Sequence, residues 1–144
     1  MAEALARLLH LRRSERHLIV EAAWLIFALR LAFRALPFRL LERVVHRLAR
    51  RRTTPPTSTE RVAWAVAAVG RRLPGTTCLL QALAAYVMLA RRGTEAQVHI
   101  GVARDRGRPL ESHAWVESEG RVVLGDTGLD RYVPMTEKLL ARSP

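Results

Sequence analysis

From residue 3 to about residue 50 the chain contains no glycine and a single proline, Pro37, in a run dominated by Leu, Ala and Arg. These residues lose little side-chain freedom in a helix and do not compete for its backbone bonds, so this third of the chain is constrained to be helical. The spacing predicts two or three helices over residues 3–13 and 15–50, broken near Pro37. Arg16, Arg30 and Arg34 fall on one stripe when stepped by threes and fours, which predicts a mostly buried helix with a solvated arginine edge. The apolar stretch 18–36 approaches spanning length, but Glu21, Arg30 and Arg34 are each expensive at a bilayer centre. It also begins late for a signal peptide and has no small-residue cleavage site, so a cytoplasmic protein is expected. Peripheral membrane contact through this helix stays open but is not the expectation.

The chain carries 24 basic and 13 acidic residues, and Lys138 is its only lysine. Split at residue 53, the positive excess is +8 before and +3 after. Such a basic arm can attract an anionic lipid, an acidic peptide or nucleic acid, and charge alone does not choose among them. The basic stretches lack interleaved aromatics and match no recognition motif, so nucleic acid is not expected.

Residues 50–60, RRRTTPPTSTE, form the clearest linker. They divide a basic helical arm, 1–53, from a core, 54–144, within one compact unit of 144 residues. Beyond the linker a helix is expected over 60–71, then a breaker, LPGTT, and a helix CLLQALAAYVMLARRG that ends at Gly93. Residues 96–103 alternate, with Val98, Ile100 and Val102 on one face and Gln97, His99 and Gly101 on the other, as in a half-buried strand. Turns at 105–109 and 118–120 frame strands at 112–117 and 121–124. The fold class expected is α+β, a helix packed on a small antiparallel sheet behind a helical arm.

A single cysteine excludes an internal disulfide, and no two-cysteine zinc spacing is present. A lone Cys is ordinarily a small buried hydrophobe, but Cys78 follows Thr76 and Thr77, either of which can cap the helix it opens. In the first turn, free N–H groups and the helix dipole favour a thiolate, the species that attacks carbonyls, and the same N–H groups can hold the oxyanion that results. His113 lies 35 residues on, in the strand SHAWVE, on the face opposite Ala114 and Val116. Asp126 lies 13 residues further, at the end of the next strand, where antiparallel pairing can bring it beside the imidazole. Alone, His113 reads as a structural histidine and Asp126 as a turn former; their conjunction with a cysteine at a helix start suggests a Cys78, His113, Asp126 triad. Asp105 and Asp130 are alternative acids. Trp64 and Gln81 are candidate second oxyanion donors, although helix packing is the commoner role for each. Trp115 is expected in the cleft wall or the core beneath it. His99 is expected to be structural or solvated. No helix pair or ligand cluster supports a metal among His99, His113, Asp126 and Asp130, and no cofactor is expected.

The segments LPGTTCLLQALAAYVMLARRG, VHIGVAR and SHAWVESEGRVVLGD resemble the cysteine leader peptidase of lasso-peptide biosynthesis, a transglutaminase-like enzyme of the papain superfamily. The resemblance runs from about Trp64 to Asp126, and LPFRLL at 36–41 is similar to that family's N-terminal region. It implies a papain or transglutaminase-like core with Cys78, His113 and Asp126 as the triad, and removal of a leader from a ribosomally made precursor of leader plus core. It also implies a separate leader-recognition protein and an ATP-dependent lasso cyclase acting afterwards. The same triad can transfer an acyl group to an amine, as a transglutaminase does, and a non-catalytic basic module for a partner, a membrane surface or nucleic acid is the remaining alternative.

Overall fold

The computed structural model describes residues 9–52, 56–135 and 140–141, together with residues 3 and 6. The N-terminal third folds into α1, Arg13–Ala35, and α2, Phe38–Arg50, with the break at Leu36 and Pro37. Pro37 forces the break, because its ring disfavours helical geometry at the residue before it and it has no N–H to give. Beyond the linker come α3, Thr59–Gly70, and α4, Cys78–Arg91. The rest is a sheet of β1, Gln97–Ala103, β2, Glu111–Ser118, β3, Arg121–Leu124, β4, Val133–Pro134, and β5, Leu140–Ala141.

α4 is the axis of the molecule. Ten of its residues, Leu80 and Ala82 through Ala90, are buried, because α1, α2 and α3 pack on it from one side and β1 and β2 from the other. A helix apolar all round can only be an interior one. Its end is fixed by Gly93, at φ +78°, where the N–H groups of Gly93 and Thr94 donate back to Ala90 and Leu89. Glycine reaches that left-handed conformation without a Cβ clash, and the two bonds satisfy carbonyls that the helix end leaves open.

The sheet is an antiparallel meander in the order β3-β2-β1-β4, with β5 also against β1. Glu119 and Gly120, both at positive φ, make the two-residue turn that joins β2 to β3. The register sets Val98 opposite Val116 and Ile100 opposite Ala114, and these side chains join the cluster around α4. On the other face His99 opposes Trp115 and Gly101 opposes His113. The α+β class expected from the sequence is the fold observed.

α1 departs from the expectation of a mostly buried helix. Leu18, Ala22, Leu25, Ile26 and Leu29 are buried in the cluster that also holds α4, but Val20, Trp24, Phe27 and Leu31 form an apolar ridge on the opposite side, each more than half exposed. Leucines and phenylalanines that recur by threes and fours cannot by themselves announce which of two apolar stripes meets the protein. Arg30 is more than a solvated edge, since its guanidinium donates to the Pro74 carbonyl at 2.9 Å and packs on Gly75. Among the described residues no helix is long and apolar enough to cross a membrane.

α1 is also tied to the far end of α4. Glu21 takes Arg91 at 3.2 Å and Arg92 at 2.6 Å, and all three side chains are nearly closed to solvent. The same arm that pins the loop entering α4 therefore holds the residues that end it.

Candidate active site

Cys78 is the first residue of α4 and is half-buried at the edge of the core cluster. Thr77 caps the helix, its hydroxyl accepting from Leu80 N–H at 3.3 Å, while its carbonyl takes Gln81 N–H at 3.1 Å. Thr76 serves the preceding turn instead, donating to the Leu73 carbonyl. Of the four N–H groups a helix leaves open, those of Cys78 and Leu79 thus keep no partner among the described residues. They lie beside the sulfur, at the positive end of the helix dipole.

His113 sits half-buried near the start of β2, on the sheet face shared with Trp115. Its Nε2 lies 2.8 Å from the carbonyl oxygen of Gly125. A carbonyl can only accept, so Nε2 carries the proton and Nδ1 is left with the lone pair of a base. The ring is stacked on Trp115 at 6.4 Å between centroids, and on its own account faces Tyr132 at 5.1 Å. Trp115 in turn lies flat against His99 at 5.6 Å and donates from its indole to Glu117. The tryptophan is the buried floor under two imidazoles, which agrees with its expected place beneath the cleft.

No motif singles out Tyr132, which the fold brings near both Cys78 and His113. Its phenol ionises above the usual tyrosine range, chiefly through partial burial, then through its hydrogen bond to Glu111 and that carboxylate's charge. A charge on Cys78 raises it further, while Arg131 opposes the shift. Arg131 is itself raised, by its bond to Asp105 and by the charges of Asp105 and Glu111. Tyr132 follows the short 3₁₀ turn Leu129–Arg131 and is held over Gly101, where a Cβ would come within 2.9 Å of both Tyr132 and Trp115. The glycine leaves the room that two aromatic rings occupy.

Asp126 directly follows the carbonyl that holds His113. Its carboxylate is exposed on the wall of a cavity of about 660 Å³ between α3 and β3, which Trp64, Gln81 and Arg71 also line. Among the described residues the hydrogen-bond partner of the imidazole is the Gly125 carbonyl, not a carboxylate. Asp105 is committed to Arg131, and Asp130 is exposed on the 3₁₀ turn. Trp64 faces the cavity rather than being packed between helices. His99 is buried, not solvated, with Nε2 3.3 Å from Glu117. Among the described residues no three His, Cys, Asp or Glu side chains are grouped to hold an ion.

A family profile described as the transglutaminase-like superfamily matches residues 23–137. The chain belongs to the transglutaminase-like superfamily. Comparison with curated proteins and with solved structures gave no match. Transglutaminase-like chains are typically cysteine-dependent enzymes, proteases or acyl transferases, and the match begins within α1 and ends beyond Tyr132, so it takes in the second half of the arm's first helix and strands β1 to β4.

Proposed function

We propose that this transglutaminase-like chain is a cysteine peptidase that removes the leader from a lasso-peptide precursor, with Cys78 as nucleophile and His113 as base. The observation that carries the reading is a thiol at a capped helix start in the same fold as an imidazole whose Nε2 is already engaged, leaving Nδ1 as the basic atom, with Tyr132 neighbour to both. The specific substrate is supported by the resemblance of the segments around Cys78, His113 and Asp126 to leader peptidases.

In this mechanism His113 takes the thiol proton, and the sulfur of Cys78 attacks the carbonyl carbon at the last leader residue. The oxyanion is received by the N–H groups of Cys78 and Leu79. Collapse breaks the C–N bond as the imidazolium gives its proton to the departing amine of the core peptide. A water molecule, deprotonated by His113, then attacks the thioester, releasing the leader as a carboxylic acid and restoring the thiol. Asp126, next to the carbonyl that orients the ring, contributes negative charge toward the imidazolium. Partners in this reading are a separate leader-recognition protein and an ATP-dependent cyclase that takes the freed core, and the cytoplasm is the corresponding location.

Acyl transfer to an amine is the second reading, favoured by the superfamily itself. It differs only in what attacks the thioester. Mass spectrometry of a precursor incubated with the chain, with and without a leader-binding protein, separates them: hydrolysis gives a free leader acid, transfer a leader amide. Cys78→Ala should give neither product while keeping its circular dichroism, and turnover by that variant would sink both readings.

A further inference from the structure

We propose that the cavity between α3 and β3 is the subsite for an extended segment of the peptide substrate, which adds as a strand to the free edge of β3 and is read through its backbone by Gln81. This rests on the reading of Cys78 as a nucleophile. Three observations converge on it. First, β3 ends the sheet: β2 is its one neighbour among the described strands, so one side of its backbone has no ladder partner. That open side belongs to the segment 122–125 that lines the cavity. An exposed edge of this kind is a template for an added strand.

Second, the cavity has the right size and position. Its volume of about 660 Å³ is within the roughly 300–1,000 Å³ of small-ligand sites, enough for a few residues of extended chain. It is bordered by Gly125, whose carbonyl holds His113, and by Gln81, one turn along the helix that Cys78 opens. Cys78 and His113 do not themselves line it, so a peptide seated there reaches the site by running on past Gly125 and Gln81.

Third, the Gln81 amide is packed but unpaired. Its side-chain amide has no hydrogen-bond partner among the described residues, although it lines the cavity. It rests on Gly70, where a Cβ would come within 2.5 Å of Gln81 Cδ and 2.8 Å of Nε2. Gly70 is the last residue of α3, and its lack of a Cβ leaves the room that this amide occupies. A primary amide with one acceptor and two donors matches the C=O and N–H of a peptide strand. Trp64, 41% exposed, supplies an apolar wall for the side chains of that strand.

The test uses the full chain and reads alkylation of Cys78 by mass spectrometry. One probe is a pooled set of acetylated tetrapeptide chloromethyl ketones; a second set carries N-methyl groups at alternate amides, which blocks strand pairing. Each rate is divided by that of iodoacetamide on the same variant, which corrects for changes in the thiol itself. The unmethylated set should label the natural protein about tenfold faster than the methylated one. Gln81→Ala should cut that preference about two- to tenfold, the range for one hydrogen bond. Gly70→Ala, which drives the flexible amide from its seat, should do the same with Gln81 still present. Equal labelling by the two sets in the natural protein, or a preference untouched by both substitutions, overturns the subsite. Iodoacetamide labelling no faster than that of glutathione overturns the nucleophile, and the subsite with it.

Discussion

Glu21→Ala is the substitution by which the coupling between α1 and α4 can be measured. The carboxylate is 9% exposed and faces two guanidiniums, Arg91 at 13% and Arg92 at 5% exposure. Removing it leaves two positive charges side by side with little water to screen them. Breaking a buried pair costs about 3–5 kcal/mol. The lower end applies, since Arg92 also donates to the Met88 carbonyl and Arg91 retains some access to solvent. The buried Nε atoms of both arginines have no partner among the described residues, so losing the carboxylate adds to donors that are already unsatisfied. A loss of about 3 kcal/mol is a large part of the stability of a domain, and at about 3 °C per kcal/mol for a chain of this size it lowers Tm by about 10 °C. Urea titration with parallel thermal melts reads both quantities. Because the pair is buried, raising salt should recover little of the loss. The triple variant Glu21→Leu, Arg91→Met, Arg92→Met should recover most of it, as apolar replacement of a buried ion cluster commonly does. A Glu21→Ala variant within 1 kcal/mol of the natural protein would refute this account of the cluster.

His113→Ala should lower precursor cleavage by about 10²–10⁴-fold, the range for a general acid and base, and Asp126→Asn by a smaller factor, because the ring's hydrogen bond is to Gly125; initial rates on one precursor rank the two. Gly125→Ala should cost about 1–2 kcal/mol by urea titration, since the residue sits at φ +82° and a Cβ would approach the Ala114 carbonyl to 2.9 Å. The displaced carbonyl should also slow turnover, by up to about a hundredfold for a shift near 1 Å. Tyr132 holds its proton more tightly folded than unfolded. The stability this gives is present below the usual tyrosine pKa and is lost as pH rises through the higher folded value. Denaturation from pH 8 to 11 should therefore show a steeper alkaline decline in the natural chain than in Tyr132→Phe.

The elements were legible in the sequence where residue chemistry forces a local geometry. Pro37 announces a break, Thr77 a helix start, Gly93 a helix end, and alternation in VHIGVA and SHAWVE a pair of strands. The places of Cys78 at a helix start and His113 in a strand were legible for the same reason, and their reactive side chains make them candidates. Tyr132 was not, because it follows a three-residue turn and precedes a two-residue strand, both shorter than any period that can be counted. Its place depends on long-range packing over Gly101, which no local pattern records. The Gly125 carbonyl was hidden for a different reason: every residue has a carbonyl, and only the chain's path decides which one faces an imidazole. The ridge on α1 is not legible because Val20, Trp24, Phe27 and Leu31 repeat with the same spacing as the residues that are buried.

That the partner of His113 is main chain has a consequence for how such a site tolerates change. A side-chain acid can be deleted by one codon; a carbonyl survives every codon. Saturation mutagenesis would thus find no position whose replacement removes the acceptor itself, and sensitivity would surface at Gly125 and its neighbours as a requirement on shape. A survey that ranks residues by chemical identity would note Cys78 and His113 and pass over the group that sets which imidazole nitrogen carries the proton.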